Sequence, residues 1–428
     1  MAPIRFHVLF LACLVFLPGI LRQPAVIADN WTQFLGPGGR GVSSDSVPKS
    51  WDASKNIAWT VRLPGSGSSS PILSGNKVIV TCYVTDADGG PQRQLLCFDK
   101  RSGKPLWTVD FPIDYREDGY RGFITEHGYA SNTPATDGKH IYAFFGKGGV
   151  HCVTMDGEKV WSVDVGKSSS NRQWGSGSSV LLYRDTVIVN AADESRTLYC
   201  LSKADGSVLW KQQADMLELT YGTPRIVTSA DGQDELVVGV PEEIWAMHPV
   251  TGKLKWYATS PATGNVSPSV IVDKDMIYGF GGYRSSGSIA VTAGGKGDVT
   301  ESRVRWTARP SSYVATPLLR NGRFYWIDDR GIAYCTNAND GETVYRTRVT
   351  SLNAGGGRPV YASPVAIGEY VYYVTRRSGT IVVRPGDEFT VLAQNRFPDD
   401  NTDFNASPAV SKGRLYLRSD QALYCIAK

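Results

Sequence analysis

His127 stands in a run of side chains able to bind an anion, polarise a carbonyl or move a proton. Between residues 111 and 130 the chain carries Tyr115, Arg116, Glu117, Asp118, Tyr120, Arg121, Glu126 and Tyr129. A long connection with such a mixture is the first place to look for a site, because connecting loops carry function more often than the elements they join. The plainer reading of this insertion is a surface flap, and we take it ahead of a catalytic loop.

The remaining reactive types are dispersed. Of five histidines, His7 falls in the leader described below, His140 and His151 lie on strands as packing or surface residues, and His248 stands in a turn; such scatter is no zinc signature. Calcium takes about six to eight oxygen ligands, and no acidic cluster supplies them. The serine string from Gly65 to Ser70 reads as a turn leading into a strand, since a hydrolase nucleophile needs a strand-turn-helix setting. We therefore assign no catalytic residue and no metal ligand.

The elements that position these residues follow from a repeat. Short runs rich in Val, Ile, Tyr and Thr alternate with Gly, Asp, Ser and Pro, an all-β pattern. One unit recurs eight times, each opening on a run that ends in Ser-Pro or Thr-Pro. The prolines are Pro71, Pro134, Pro224, Pro268, Pro317, Pro364 and Pro408, with Ser179-Val180 in the remaining place. Spacings of about 44 to 49 residues suit a four-stranded propeller blade.

Each unit continues through a second strand to a third that ends in a glycine turn: CFDKRSGKPLW at 97–107, CVTMDGEKVW at 152–161, CLSKADGSVLW at 200–210, AMHPVTGKLKW at 246–256 and CTNANDGETVY at 335–345. Glycine supplies a positive φ there at little steric cost. Four places later an aromatic residue opens the outer strand, where its ring can wedge between neighbouring sheets. Trp59, Trp107, Trp161, Trp210, Trp256, Trp306 and Tyr345 are accordingly read as inter-blade packing. The fifth unit stretches its turn through Gly294 to Gly297, and the seventh has Val391-Leu392 in place of the tryptophan, so those junctions are expected to pack less regularly.

The eighth unit stops after its third strand, at Leu423 to Ile426, and Ile57 to Leu63 has the form of the missing fourth. Together these give an all-β, eight-bladed β-propeller of four-stranded antiparallel blades, its last blade closed by the N-terminal strand, a closure that removes exposed sheet edges.

Propeller geometry gathers the loops entering inner strands and those joining second to third strands on one face. There we place His127, Asn132, Arg172, Gln173, Trp174, Tyr221, Asn265, Tyr313, Arg358, Tyr361 and Asn405, with Asp328, Asp329, Arg330, Arg376 and Arg377 nearby. Aromatic and polar groups around a central depression make a ligand or peptide platform.

Cysteines fit the same frame. Cys97, Cys152, Cys200, Cys335 and Cys425 recur at one position of the repeat, too far apart to bridge one another within the roughly 7 Å Cα limit, and read as small buried residues. Cys82 lies opposite Cys97 across a hairpin near residues 88–90, where a cross-strand disulfide is open to an exported protein.

Arg5 followed by the apolar run from Phe6 to Ile20, with Val26-Ile27-Ala28 after it, reads as a secretory signal peptide. The expected organisation is a leader at 1–28, an extension at 29–55 and one propeller at 56–428, exported to the periplasm or exterior, with no membrane span after leader removal. The formal charge is +4, of which Arg5 and Arg22 leave with the leader. Such a balance argues against nucleic acid as a partner.

The glycine-to-tryptophan turn resembles the pyrroloquinoline-quinone (PQQ) repeat of quinone-dependent dehydrogenases and of the propeller lipoprotein of the outer-membrane β-barrel assembly machinery. The opening NWTQFLGPGGRGVS, the blade starts YASNTPATDGKHIYAFFGKGG and WGSGSSVLLYRDTVIVN, and the ending NASPAVSKGRLYLRSDQALYCI are similar to secreted propellers of planctomycete-type bacteria. The resemblance implies the fold over nearly the whole mature chain. For a quinoprotein alcohol dehydrogenase it would imply adjacent cysteines over the quinone, a calcium and a catalytic Asp, and no Cys-Cys pair occurs here. Soluble glucose dehydrogenases use a different propeller with a catalytic His, so that absence does not settle the matter. We expect no cofactor and a monomeric, non-catalytic binding or scaffold protein for a protein, glycan or small ligand. A quinoprotein oxidoreductase using PQQ with calcium and an accessory to outer-membrane protein assembly are the alternatives.

Overall fold

The computed structural model describes residues 30–85, 91–283, 286–352 and 357–428; the expected leader lies outside them. Eight antiparallel sheets follow in chain order, spanning residues 72–112, 135–163, 181–213, 225–259, 271–308, 318–348, 365–395 and 409–426. The strand Ile57–Arg62 completes the eighth, pairing with Ala422–Ile426 and setting Trp59 opposite Cys425. Middle strands such as Lys77–Val84 and Gly287–Thr292 are nearly continuous apolar or small runs because neighbouring blades cover both their faces. Outer strands such as Pro105–Pro112 alternate, one side packed and the other in water. No helix among the described residues is long and apolar enough to cross a membrane.

The wedging aromatics lock most blades to the next. Trp59 donates its indole N–H to the Lys100 carbonyl at 3.3 Å, and Trp107, Trp161, Trp210 and Trp306 do the same to Met155, Lys203, Pro249 and Ala338 at 2.9–3.1 Å. Each ring lies on the turn glycine of the following blade. At Gly103, φ is 74° and an added methyl would stand 2.8 Å from the Trp59 ring. Trp256 is fully buried between blades four and five, but its N–H turns back to Glu235 Oε2 at 2.8 Å, because the stretched fifth turn offers no carbonyl there. Instead Gly297–Asp298 adds to the outer strand of blade four, followed by the helical turn Thr300–Arg303. Tyr345 packs against Phe389 of blade seven, where Val391 and Leu392 stay exposed. The two irregular turns thus give the two irregular junctions.

Two details correct the sequence reading. Cys82 pairs across the hairpin with Gln94, while Cys97 pairs with Ile79, so the two thiols do not face each other, and both are free. In blade five the residue equivalent to Ser70 or Thr133 is Ser269, so Pro268 precedes that position where the other prolines follow it.

The extension ahead of Ile57 crosses the channel as a plug. Trp31 pairs with Leu73 of blade one, and the Thr136 amide of blade two donates to the Thr32 carbonyl at 2.9 Å. Arg40 reaches Asp273 of blade five at 3.7 Å, Val42–Ser43 pairs in parallel with Ala366 and Ile367 of blade seven, and the Gly413 amide of blade eight donates to Asp45 at 3.4 Å. Phe34, half-buried, is carried into the channel by this segment.

Candidate functional site

A ring of hydrogen bonds encircles the channel where the inner strands begin. The amide of Ser70 donates to Thr133 Oγ1, Thr133 to Ser179, Ser179 to Thr223, Thr223 to Ser269, Ser269 to Thr316, Thr316 to Ser363, Ser363 to Ser407, and Ser407 back to Ser70, all at 2.9–3.1 Å. Every blade contributes one hydroxyl that accepts from its neighbour. A hydroxyl also has one proton to give, and none of these eight donates to a protein acceptor among the described residues.

This ring surrounds a cavity of about 170 Å³ that all eight hydroxyls line. Phe34 of the plug lines it as well, approached from below by the Arg225 guanidinium, whose carbon lies 5.9 Å from the ring centroid. Arg225 heads the inner strand of blade four, where other blades place Ile72, Leu181 or Val365; burial pulls its pKa down to about 10.

Above the hydroxyls stand Phe123, His127, Trp174, Tyr221, Tyr313, Tyr361 and Asn405. Phe123 meets Trp174 edge-on at 4.4 Å, and Trp174 stacks on Tyr221 at 6.2 Å. Arg358 lies over both Phe123 and Tyr313, at 4.3 and 4.8 Å, while bonding Asp329 at 3.0 Å.

The insertion that follows blade one folds across this mouth as a lid. Its helical turn Ile124–His127 places Glu126 against Arg376 of blade seven, and the Asn405 side-chain amide of blade eight donates to the Glu126 carbonyl at 2.6 Å. Arg376 is held in turn by Asp403, which also takes Arg377 at 2.6 Å. At the other end Glu117 pairs with Arg93, and Asp118 accepts from Lys147 at 2.8 Å and Ser169 at 2.6 Å. Beneath that end lie Asp193 and Glu194; burial first, and Asp193 second, push Glu194 up to about 8, and its Oε2 has no hydrogen-bond partner among the described residues.

His127 is occupied as a brace. Its Nε2 lies 2.9 Å from the Trp174 carbonyl, which can only accept, so that nitrogen carries the proton, and Nδ1 lies 2.5 Å from Ser131 Oγ. Burial lowers its pKa, which favours the neutral ring. His151 is similarly engaged with Ser162 and the Gly148 carbonyl, and burial lowers it to about 4.

Of the residues chosen from sequence, His127, Trp174, Tyr221, Tyr313, Tyr361 and Asn405 meet at the cavity. Arg358 and Arg376 hold the lid, Arg376 also lying over the Tyr361 ring at 5.0 Å. Asn132 is buried and donates to Ser176 and the Ser178 carbonyl, Asn265 donates to Ser267, and Arg330 pairs with Asp328 at the rim. Arg172 and Gln173 are exposed beside Trp174. Phe34, Phe123 and the hydroxyl ring were not among the residues chosen. The ring had a signal, the Ser-Pro and Thr-Pro openings themselves.

A family model described as outer membrane protein assembly factor BamB matches residues 49–112 and 91–347. Among solved structures, BamB from Moraxella catarrhalis is similar at TM-score 0.60 and 14% identity, over 87% of this chain and 97% of that one. Quinohemoprotein alcohol dehydrogenase from Comamonas testosteroni is similar at 0.58 and 12%, over 94% and 81%. The computationally designed Ika8 protein reaches 0.56 at 11%, over 87% and 100%. No curated protein matches. At such identities the structural likeness speaks for the fold alone.

Proposed function

The chain belongs to the family described as outer membrane protein assembly factor BamB, a family of PQQ-like repeat propellers, and on that premise we propose that it is a non-catalytic binding propeller holding a small neutral ligand in the channel mouth beneath the lid. The observation that carries this reading is the composition of the cavity: aromatic rings above and below a circle of hydroxyls, with no Lys, Arg, Asp, Glu or Cys among the described residues that line it. A site so built can stack and hydrogen-bond a ligand, but it brings no acid-base pair to one. Of the titratable side chains there, His127 has both ring nitrogens engaged, and burial raises the phenols of Tyr221, Tyr313 and Tyr361.

The residues do not fit the quinone that names the repeat. PQQ is a polycarboxylate that works with a bound cation, and a buried charge needs a partner. This lining offers neither cations for the carboxylates nor an acidic ligand set for calcium. We infer from the sequence that residues 1–28 act as a secretory leader, which would take the protein outside the cytoplasm.

A thermal-shift screen of the mature chain tests the reading, since a ligand that binds only the folded state raises its stability by about 2.7 kcal/mol at a hundredfold excess over Kd. Small neutral compounds are expected to raise the midpoint, and PQQ with calcium to leave it unchanged. A shift with PQQ and calcium alone would reverse the assignment.

The family's description favours a second reading, a protein-assembly accessory whose partner docks on the same face. The exposed guanidinium of Arg377 and that of Arg330 are placed for such a contact. Co-purification with a β-barrel insertase, lost on changing Arg377 to Ala, would support it.

A further inference from the structure

We propose that the ligand is a single neutral sugar ring carrying equatorial hydroxyls, a class that deepens, and rests on, the reading of the cavity as a ligand site. Three features point to it together. The first is the circle of Ser70, Thr133, Ser179, Thr223, Ser269, Thr316, Ser363 and Ser407, whose hydroxyls each accept from a backbone amide and keep their own proton and a second lone pair unspent. A ligand whose polar groups radiate from its equator meets donors and acceptors in every direction around that circle. An apolar ligand of the same size would leave those hydroxyl protons without acceptors, and a desolvated, unpaired donor is costly.

The second feature is the aromatic boundary on either side of the circle. Phe34 closes the cavity on the plug side, and Phe123, Trp174, Tyr221 and Tyr313 stand on the lid side. A pyranose with equatorial hydroxyls presents axial C–H groups on both faces, which suit aromatic surfaces above and below, while its hydroxyls lie between them. The third is size and charge. About 170 Å³ falls below the roughly 300–1,000 Å³ of sites for drug-sized ligands, enough for one ring. A uronic or other acidic sugar would find no cation in the lining. Nor do the described residues of the lining include the pair of carboxylates that most glycoside hydrolases use, which suits a sugar that is held rather than cleaved.

Calorimetric titration of the mature chain with methyl β-D-glucopyranoside, its galacto epimer, glucuronate and cyclohexanol tests the class without any substitution. The glucoside is expected to bind at least about tenfold more tightly than each of the other three, a difference of about 1.4 kcal/mol. Trp174→Ala, in a half-buried loop position, is expected to weaken the glucoside about tenfold or more while the protein still unfolds cooperatively. Equal binding of cyclohexanol or of the galacto epimer, or binding of glucuronate alone, would overturn the sugar class. If no sugar binds but another neutral compound does, in a manner lost in Trp174→Ala, the sugar class falls and the cavity remains the ligand site. If nothing binds in either assay, both fall.

Discussion

The amide of Ser407 donates to Ser70 Oγ at 3.0 Å, joining the last blade to the first across 337 residues of sequence. It is the same bond that joins every other pair of neighbours, so the ring is closed twice. Ile57–Arg62 closes it at the circumference, and this hydroxyl closes it at the axis.

Breaking one link of the inner ring should cost stability without changing the fold. Ser363→Ala strands the buried Thr316 amide, and an unpaired buried donor costs about 1–3 kcal/mol. Ser363→Thr keeps the hydroxyl, as threonine already fills three of the eight ring positions, and should cost much less. Urea midpoints measure the difference; equal losses in the two variants would show that the bond contributes little.

At the circumference the closing element is Trp59, buried against Gly103 of blade one and Tyr416 of blade eight. Trp59→Ala is expected to lose about 3–5 kcal/mol. If the last blade is held chiefly by this strand, the variant's urea transition should also broaden, and a loss confined to a few tenths of a kcal/mol would contradict the closure.

The lid should loosen when its latch is removed. Arg376 is buried between Glu126 and Asp403, whereas Arg377 shares Asp403 from a mostly exposed position. Arg376→Ala is expected to speed tryptic cleavage at Arg116 and Arg121 by opening the insertion locally. Arg377→Ala should have little effect, because a surface pair contributes about 0–1 kcal/mol. Identical cleavage rates in wild type and Arg376→Ala would show that the lid is held elsewhere.

Stability should fall toward both ends of the pH scale, for opposite reasons. Glu194 has its folded value raised to about 8 from an ordinary 4.5, so the native state keeps a proton that the unfolded chain releases. Its contribution is intact below about pH 4.5 and is lost as pH rises through 8, on the order of 2–4 kcal/mol. His151, lowered to about 4 from 6.5, is neutral in the native state while the unfolded chain takes up a proton, so its contribution is lost as pH falls from 6.5 through 4. Glu194→Gln should therefore raise the melting temperature relative to wild type at pH 8 and leave it nearly unchanged at pH 5. A shift of equal size at both values would discount the buried carboxyl.

Much of the ring was legible in the sequence because its parts obey local rules. The glycine turn and the tryptophan four residues later recur with the blade, and Trp59 stands where an eighth would be needed. The Ser-Pro and Thr-Pro openings were equally visible, but their hydroxyls become a ring only when eight strands converge on one axis, so their role was not. Phe34 and Phe123 lie outside the repeat, one in an extension and one in an insertion, and no periodicity places either over the channel. Cys82 and Cys97 misled by three residues of register, which the long hairpin between them left undetermined.

Hydrogen-deuterium exchange on the protein, with the compound that gives the largest thermal shift, tests the ligand site most directly. The account predicts added protection in the lid around residues 123–133 and in the segments 174–179, 221–223, 313–316 and 361–363, with outer strands unaffected. Protection confined to the outer strands, or none at saturating ligand, would contradict it.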